Sequence, residues 1–182
     1  MRIVAGELGG RRIVAPAGET TRPTSDRARE ALFSRLGPVD GERVLDLFAG
    51  SGALGIEALS RGAWSALLAD LDRTALRALR ANVEALALAE RAEVVAGDFR
   101  RVLRACARRE QRFDLVFLDP PYAALAGYSA DLSKLLVPVL ADAARIVIES
   151  RTGNPLAIGT PAGPPRRTGG TLVQILHHHD PR

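Results

Sequence analysis

Cysteine, lysine and aromatic residues are scarce in this sequence of 182 residues. The single cysteine, Cys106, excludes an internal disulfide framework and a cysteine-rich metal cluster, and we expect it on the apolar face of a helix. No apolar run approaches the roughly 18 residues that a membrane span needs. The opening MRIVAGELGG has no apolar core of a secretory signal. These absences together predict a soluble, cytoplasmic protein.

Lysine occurs only at position 134, so nearly every cation is arginine, and the formal net charge is +4. GC-rich codon usage would explain abundant arginine and alanine together, so the total charge says little about partners. The distribution says more, because a group of arginines falls early, before the first long apolar strand, among them Arg2, Arg11, Arg12, Arg22, Arg27 and Arg29. A basic N-terminal region is typical of proteins that contact phosphates. Salt bridges within the first helix are the alternative for Arg27 and Arg29.

Strand and helix patterns alternate along most of the chain. The N-terminus predicts a β-hairpin around GELGG, and Ser25 or Asp26 can cap a helix that Gly37 ends. Five apolar strands are then predicted, separated by amphipathic helices: 43–48, 64–70, 92–98, 113–119 and 144–150. The last of these helices is predicted over 129–140, after a loop that follows the two prolines. The final segment predicts a closing hairpin after a loop at 155–165. This order predicts an α/β fold with right-handed crossovers and a mostly parallel sheet.

A glycine-rich turn, DLFAGSGALG, follows the first of these strands and opens a helix. Gly50 and Gly52 allow a tight turn and close approach of a ligand, and the amides of the helix N-terminus face that ligand. Gly55 completes a G-x-G-x-x-G spacing that would also suit a dinucleotide. Asp46, at the strand end, would repel a pyrophosphate. It suits a ligand with a cationic amino-acid tail, such as S-adenosylmethionine.

The next two strands also end in carboxylates. Asp70 can accept hydrogen bonds from both ribose hydroxyls of a nucleoside. Asp98 can accept from an adenine amino group, and the ring of Phe99 can lie against the adenine face. Helix capping is an alternative role for Asp98 that is compatible with a ligand contact, whereas Asp72 is expected to be a helix cap.

The fourth strand ends in the sequence Asp119-Pro120-Pro121-Tyr122. An Asp-Pro bond favours an extended aspartate, and the prolines donate no backbone hydrogen bond, so this turn presents acceptors. Acceptors suit the exocyclic amine of a base, and Tyr122 offers a face on which a base can stack. A rigid turn with a packed tyrosine is the structural alternative. Next to the glycine turn, this motif predicts a catalytic site for a flipped base.

With these motifs assembled, the chain resembles the class I S-adenosylmethionine-dependent methyltransferases that modify exocyclic amines. The ordered segments MRIVAGELGGRRI, RPTSDRAREALF, DLFAGSGALGIEALSRGA, DPPY and IES resemble, more narrowly, the RsmD family. Those bacterial enzymes methylate the N2 amine of a guanine in 16S ribosomal RNA. The resemblance implies a Rossmann-like fold with a mostly parallel seven-stranded sheet, helices on both faces and a small N-terminal hairpin extension. It divides the chain into an extension, 1–21, and a methyltransferase domain, 22–182.

The resemblance also implies the site residues, with no metal. Asp119, Pro120, Pro121 and Tyr122 would hold the target amine. The cofactor S-adenosylmethionine would contact Asp46, Phe48, Gly50, Gly52, Asp70, Leu71, Asp98, Phe99 and Thr24. RNA would contact Arg2, Arg11, Arg12, Arg22 and Arg27, and the expected substrate is 16S RNA in an assembled or partly assembled small subunit. An aspartate at position 70, where the family pattern has glutamate, leaves open a direct contact with both hydroxyls.

Three other functions compete with this interpretation. A DNA adenine-N6 methyltransferase could use the same acceptors on an adenine amine. The G-x-G-x-x-G spacing suggests a nicotinamide-dependent oxidoreductase, although Asp46 argues against it and no hydride-partner residue stands out. A non-catalytic RNA-binding protein with the same fold is the third.

Overall fold

The computed structural model describes residues 1–16, 25–120, 125–151, 165–168 and 171–178. The helices are α1 (Asp26–Leu36), α2 (Ala53–Ser60), α3 (Arg73–Ala85), α4 (Phe99–Arg108) and α5 (Leu125–Leu136). The strands are β1 (Arg43–Asp46), β2 (Ser65–Asp70), β3 (Ala92–Ala96), β4 (Phe113–Leu118), β5 (Leu140–Arg151), β6 (Arg166–Thr168) and β7 (Thr171–His177). The predicted loop at 155–165 falls outside the described residues except for Pro165.

The strands form one seven-stranded sheet in the order β3-β2-β1-β4-β5-β7-β6. The first five in space are parallel, and β7 is antiparallel to both of its neighbours. The predicted Rossmann-like fold and the closing hairpin are therefore confirmed. From β1 the chain moves outward to β3 and then returns to the other side of β1, so the order reverses between β1 and β4. Ligands of open α/β sheets bind at such a reversal.

Two apolar cores cover the two faces of the sheet. One core packs α1, α2 and α3 through residues such as Phe33, Ile56 and Leu79, and the other packs α4 and α5 through residues such as Leu103 and Leu132. Cys106 is buried on the second face, as predicted. Each helix covers the sheet with an apolar stripe, and this burial is the main term that stabilises such a fold.

Local signals set most helix ends. Ser25 caps α1 by accepting from the amide of Ala28, and Gly37 ends that helix with a φ of 74°. Asp72 caps α3 through the amides of Thr74 and Ala75. The prediction for the last helix was wrong at its start, because α5 begins at Leu125 rather than Ser129. It ends at Leu136, before a 3₁₀ turn that contains Pro138.

The N-terminal hairpin exists as a single antiparallel bridge between Arg2 and Arg12, and it is anchored to the domain. Ile3 and Ile13 are buried in the first core. The carboxylate of Glu57, fully buried on α2, accepts from the amides of Val4 at 2.7 Å and Ala5 at 3.0 Å. These contacts hold the described part of the segment, 1–16, against the core.

No helix in the described part of the chain is long and apolar enough to cross a bilayer. The same residues contain no cluster of three or more histidine, cysteine or acidic side chains that could hold a metal ion.

Candidate active site

The carboxyl ends of four neighbouring strands place four aspartates along one edge of the sheet. Asp46 and Asp70 are the last residues of β1 and β2, whereas Asp98 and Asp119 follow β3 and β4 within two residues. In the register of β1 with β4, Asp46 lies opposite Phe117, two residues before Asp119. The two predicted motifs, the glycine turn and the Asp-Pro turn, therefore flank the point where the strand order reverses.

The glycines of the first turn have different roles. Gly50 and Gly52 have φ values of 55° and 81°, which glycine adopts at little cost. A Cβ on Gly50 would meet nothing within 4 Å, so that side of the turn is open to a ligand. A Cβ on Gly55 would lie 2.2 Å from a methyl group of Leu68. The third glycine of the G-x-G-x-x-G spacing thus serves the close packing of α2 on the sheet.

Asp46 lies beneath this turn, with only 2% of its surface exposed. Its Oδ2 accepts from the amide of Gly55 at 3.2 Å. The pKa of Asp46 is raised to about 7, chiefly by burial and in addition by the carboxylates of Asp70 and Glu149, against the opposing effect of the Gly55 hydrogen bond. Asp46 therefore links β1 to α2, and a cation that reached this edge of the sheet would favour its ionised form.

The carboxylate of Asp70 accepts hydrogen bonds from two backbone amides, one in the glycine turn and one just after β2. Its Oδ2 accepts from the Gly50 amide at 2.8 Å, and its Oδ1 accepts from the Asp72 amide at 2.8 Å. Each carboxylate oxygen retains a second acceptor position, which could receive a ribose hydroxyl. The next residue, Leu71, is 68% exposed although it is large and apolar. An apolar ligand surface at this edge would cover it.

Asp98 is the N-cap of α4, since its side chain accepts from the amide of Arg100 at 2.9 Å. Phe99 is buried, and the half-buried rings of Phe48 and Tyr128 cover it. Phe48 and Tyr128 are stacked, with centroids 6.1 Å apart and planes 10° apart. The aromatic surface available to a ligand here comes from Phe48 and Tyr128, above the ring of Phe99.

Sequence reasoning missed three residues of this cluster. The Arg100 guanidinium lies 4.4 Å from the centroid of the Phe99 ring and forms ion pairs with Asp98 and Asp131. Tyr128 and Asp131 belong to α5, whose start was predicted four residues too late. The periodicity of Tyr128, Asp131 and Leu132 carries a helical signal, but the proximity of Tyr128 and Asp131 to α4 arises only from packing.

The fourth strand ends with Asp119 half-buried and Pro120 buried. Pro121 and Tyr122 lie outside the described residues, so their predicted contact with the target base stays a prediction.

The predicted RNA-binding arginines differ in what their guanidinium groups contact. Arg2 forms an ion pair with Asp26 at 2.8 Å, and Arg11 donates to the carbonyl of Ala85 at 2.8 Å. Arg12 and Arg27 are exposed, and neither forms an ion pair within the described ranges. Arg22 and Thr24 fall in the undescribed segment 17–24.

Arg29, by contrast, is fully buried. It forms an ion pair with Asp26 at 2.8 Å, and its Nε lies 3.9 Å from Glu57. The salt-bridge alternative is thus correct for Arg29.

A further missed residue, Asn82 of α3, connects the N-terminal segment to the glycine turn. Its side-chain oxygen accepts from the amide of Val14 at 2.8 Å, and its amide group donates to the carbonyls of Val14 and Ser51. Asn82 is buried, so these bonds replace its lost contacts with water. In the sequence, Asn82 occupies a position of the helix where the period places apolar residues, and this is the signal that could have indicated the contact.

The four edge carboxylates, the open side of Gly50 and the exposed Leu71 fit S-adenosylmethionine. Asp46 lies where it could balance the charge of an amino-acid tail, Asp70 offers acceptors to a ribose, and Asp98 with Phe48 offers an acceptor and an apolar wall to adenine. The carboxylates and the open turn suit a cationic ligand better than a pyrophosphate, which would meet negative charge at Asp46 and Asp70.

Comparison with known proteins agrees with this geometry. Residues 1–161 match the model of the family described as "Conserved hypothetical protein 95". Over 159 residues the chain is 40% identical to Ribosomal RNA small subunit methyltransferase D of Escherichia coli K12, an alignment that covers 86% of this chain and 77% of the relative. Over 123 residues it is 48% identical to "Putative rRNA methyltransferase YlbH" of Bacillus subtilis, 67% of each chain.

A solved structure of a hypothetical protein from Thermus thermophilus superposes with a TM-score of 0.82 at 33% identity, covering 97% of this chain and 98% of that one. The match to the family model spans most of the chain, including the glycine turn, the edge carboxylates and the Asp-Pro motif. This chain therefore belongs to the RsmD family of class I S-adenosylmethionine-dependent methyltransferases.

Proposed function

We propose that this protein methylates the exocyclic N2 amine of a guanine in 16S ribosomal RNA, with S-adenosylmethionine as the methyl donor. The observation that carries this proposal is the position of Asp119 and Pro120 at the end of β4, beside the glycine turn at the end of β1. A base and a cofactor that occupied these two turns would be neighbours in one crevice. The similarity to a small-subunit RNA methyltransferase supports RNA as the substrate.

The chemistry follows from the acceptors at the end of β4. The nitrogen of an exocyclic amine is a poor nucleophile because its lone pair is delocalised into the ring. Asp119 would accept a hydrogen bond from the amine, which favours tetrahedral geometry at nitrogen and frees the lone pair. Pro120 has no amide hydrogen, so it places no competing donor there. The amine nitrogen would form the new C–N bond as the methyl–sulfur bond of the bound cofactor breaks and S-adenosylhomocysteine leaves, and the amine proton would pass afterwards to Asp119 or to water.

The target base must leave its stack before it can enter such a crevice. Tyr122 would stack on the base, and this contact is worth about 1–3 kcal/mol in single-strand binders. The remaining contribution is orientation, since holding two reactants in line removes much of the entropic part of the barrier.

We further propose that the substrate is RNA within an assembled or partly assembled small subunit, in the bacterial cytoplasm. The described residues form a single domain around the site, so recognition beyond the target base would come from the assembled shape of the subunit. Exposed Arg12 and Arg27 would contribute phosphate contacts, as would Arg22.

Labelled S-adenosylmethionine tests this proposal. We expect label in 16S RNA of small subunits from a strain that lacks this protein, and mass spectrometry should place one methyl group on a guanine. The Asp119→Ala variant should transfer no methyl group and should retain cofactor affinity. Asp142→Ala is the matched control, because Asp142 is exposed at the opposite end of the sheet.

Each of three other outcomes would contradict the proposal and support a different function. Label in DNA but not in 16S RNA would indicate the adenine methyltransferase. Calorimetric binding of NAD, with no binding of S-adenosylmethionine, would indicate the oxidoreductase. RNA binding without transfer by the unmodified protein would indicate a non-catalytic RNA-binding protein.

A further inference from the structure

Three arginines of α4 and the end of β3 line a groove of about 320 Å³ on the outer edge of the sheet. The groove lies between Arg101, Arg104 and Arg108 on one side and Val95, Ala96 and Gly97 on the other. We call these six residues the α4 surface. It is separate from the N-terminal arginines and from the crevice between β1 and β4.

The three guanidinium groups share one side of the helix, and no acidic side chain pairs with them there. Positions three and four residues apart lie on the same face of an α-helix, and all three side chains are exposed. No ion pair to any of them exists in the described part of the chain. The neighbouring Arg100 and Arg109 do form ion pairs, with Asp98, Asp131 and Glu93.

The position of the groove connects it to the active site. β3 is an edge strand, so this side of the sheet faces outward. The groove reaches Gly97, and the next residue is Asp98 at the edge of the cofactor site. A chain of nucleotides that followed α4 would thus approach the crevice from the side of the adenine wall.

We propose that the α4 surface binds the phosphodiester backbone of the substrate RNA next to the target nucleotide. This inference rests on the proposed function for its substrate class. Guanidinium groups form paired hydrogen bonds with phosphate oxygens, and the described lining of the groove contains no carboxylate to compete with them. That lining contains no aromatic side chain either, so its contacts are with the backbone and carry no base preference.

A peptide that added a strand to β3 is a different occupant, and the observations favour it less. Strand addition gains specificity from pockets for alternate side chains. The apolar residues of the described lining are only alanine, glycine and two valines, half-buried Val95 and buried Val102, and its only charged side chains are the three arginines.

The test measures binding of protein-free 16S RNA and of small subunits to the full-length protein across a range of salt concentrations. The test variant combines Arg104→Gln with Arg108→Gln, since glutamine is also a good helix former. The matched control combines Arg77→Gln with Arg80→Gln, two exposed arginines on α3 across the sheet. Both variants lose two positive charges, so a general effect of net charge would appear equally in both.

We expect the α4 variant to raise the dissociation constant for RNA about five- to tenfold at about 0.1 M salt, and the control variant to bind as the unmodified protein does. The slope of the logarithm of RNA affinity against the logarithm of salt concentration should become shallower by about 1.4, the value for two phosphate contacts on a single strand. Affinity for S-adenosylmethionine and turnover at saturating RNA should not change.

Equal binding by the two variants would overturn the α4 surface as an RNA contact. A loss with small subunits but not with protein-free RNA would overturn it in favour of a protein partner. Failure of the α4 surface can be distinguished from failure of the proposed function. If the unmodified protein methylates RNA and both variants bind it alike, the surface is wrong and the function stands. If the unmodified protein binds RNA through α4 and transfers no methyl group, the function is wrong and the surface stands.

Discussion

Arg100 of α4 forms an ion pair with Asp131 of α5, so the helix after the Asp119–Tyr122 motif is tied to the helix that begins at the proposed adenine site. Arg100 also pairs with Asp98 at 3.3 Å. Tyr128 adds a second contact by stacking on Phe48. The start of α5 is thus positioned from the cofactor side of the crevice.

From this relationship we expect Arg100→Ala to reduce methyl transfer more than it reduces stability. Ion pairs that remain partly exposed, as this one does, contribute little to folding, so the melting temperature should stay close to that of the unmodified protein. Loss of the pair frees α5, and the resulting misplacement should lower kcat about tenfold with a smaller change in KM. Steady-state kinetics and thermal unfolding measure both effects. Lys134→Ala, exposed on α5, is the control, and equal kcat values for the two variants would contradict the positioning role.

Asp46 should make the protein less stable as the pH rises from about 4 to about 7. Its pKa is raised to about 7 in the folded protein by burial, so the folded state binds a proton that the unfolded state has lost. This stabilisation is complete below the pKa that Asp46 has in the unfolded chain. It is lost as the pH rises through the pKa of Asp46 in the folded protein, and the free energy of unfolding falls by about 4 kcal/mol in total. The pKa values of Asp26, Asp72 and Asp114 are lowered, so these groups do not titrate in this window.

Urea unfolding of the unmodified protein and of Asp46→Asn at about pH 5, 6, 7 and 8 checks this expectation. The variant should lack most of the pH dependence, should be the more stable protein at the highest pH, and should bind S-adenosylmethionine weakly. Parallel pH profiles for the two proteins would show that the Asp46 carboxyl does not titrate in this range.

Glu57→Ala should destabilise the protein by about 3–5 kcal/mol, because it removes one partner of a buried charged network. Glu57 accepts from the amides of Val4 and Ala5 and from Arg61 at 2.8 Å, and Arg29 lies close to it. Chemical unfolding measures the loss, with exposed Glu84 on α3 as the site of a control alanine substitution. A difference of less than about 1 kcal/mol between the two variants would mean that the N-terminal segment is held by apolar contacts alone.

Alanine substitutions at two glycines of the N-terminal hairpin allow the cost of backbone strain to be measured separately from the cost of close packing. Gly6 and Gly10 have nearly the same φ, 81° and 84°. A Cβ on Gly6 would lie 1.8 Å from the carbonyl oxygen of Ser60, whereas one on Gly10 would meet nothing within 4 Å. Gly10→Ala should therefore cost about 1–2 kcal/mol from strain alone. Gly6→Ala should cost more, because the hairpin must move away from α2. Equal unfolding free energies for the two variants would contradict this packing.

Local patterns predicted the order of the elements because strands and helices have different periods of apolar residues. The start of α5 was predicted wrongly because the apolar pattern of the preceding residues was assigned to a loop after the two prolines. The role of Gly55 was also hidden, since the same spacing suits a pyrophosphate turn and a close contact between helix and sheet. Only the neighbouring Leu68 shows which of the two applies.

The sequence by itself determined the alternation of strands and helices, the glycine turn after β1, the acid at the end of each of three strands, and the Asp-Pro motif after β4. These features depend on residues that are adjacent in the chain, so short-range physics encodes them. The tertiary structure decided which of them meet. Burial of Asp46 under Gly55, the bond from Gly50 to Asp70, the Arg100 pair with α5 and the groove beside β3 join residues from different elements. Such contacts depend on strand order and helix packing, which emerge only when the whole sheet has formed.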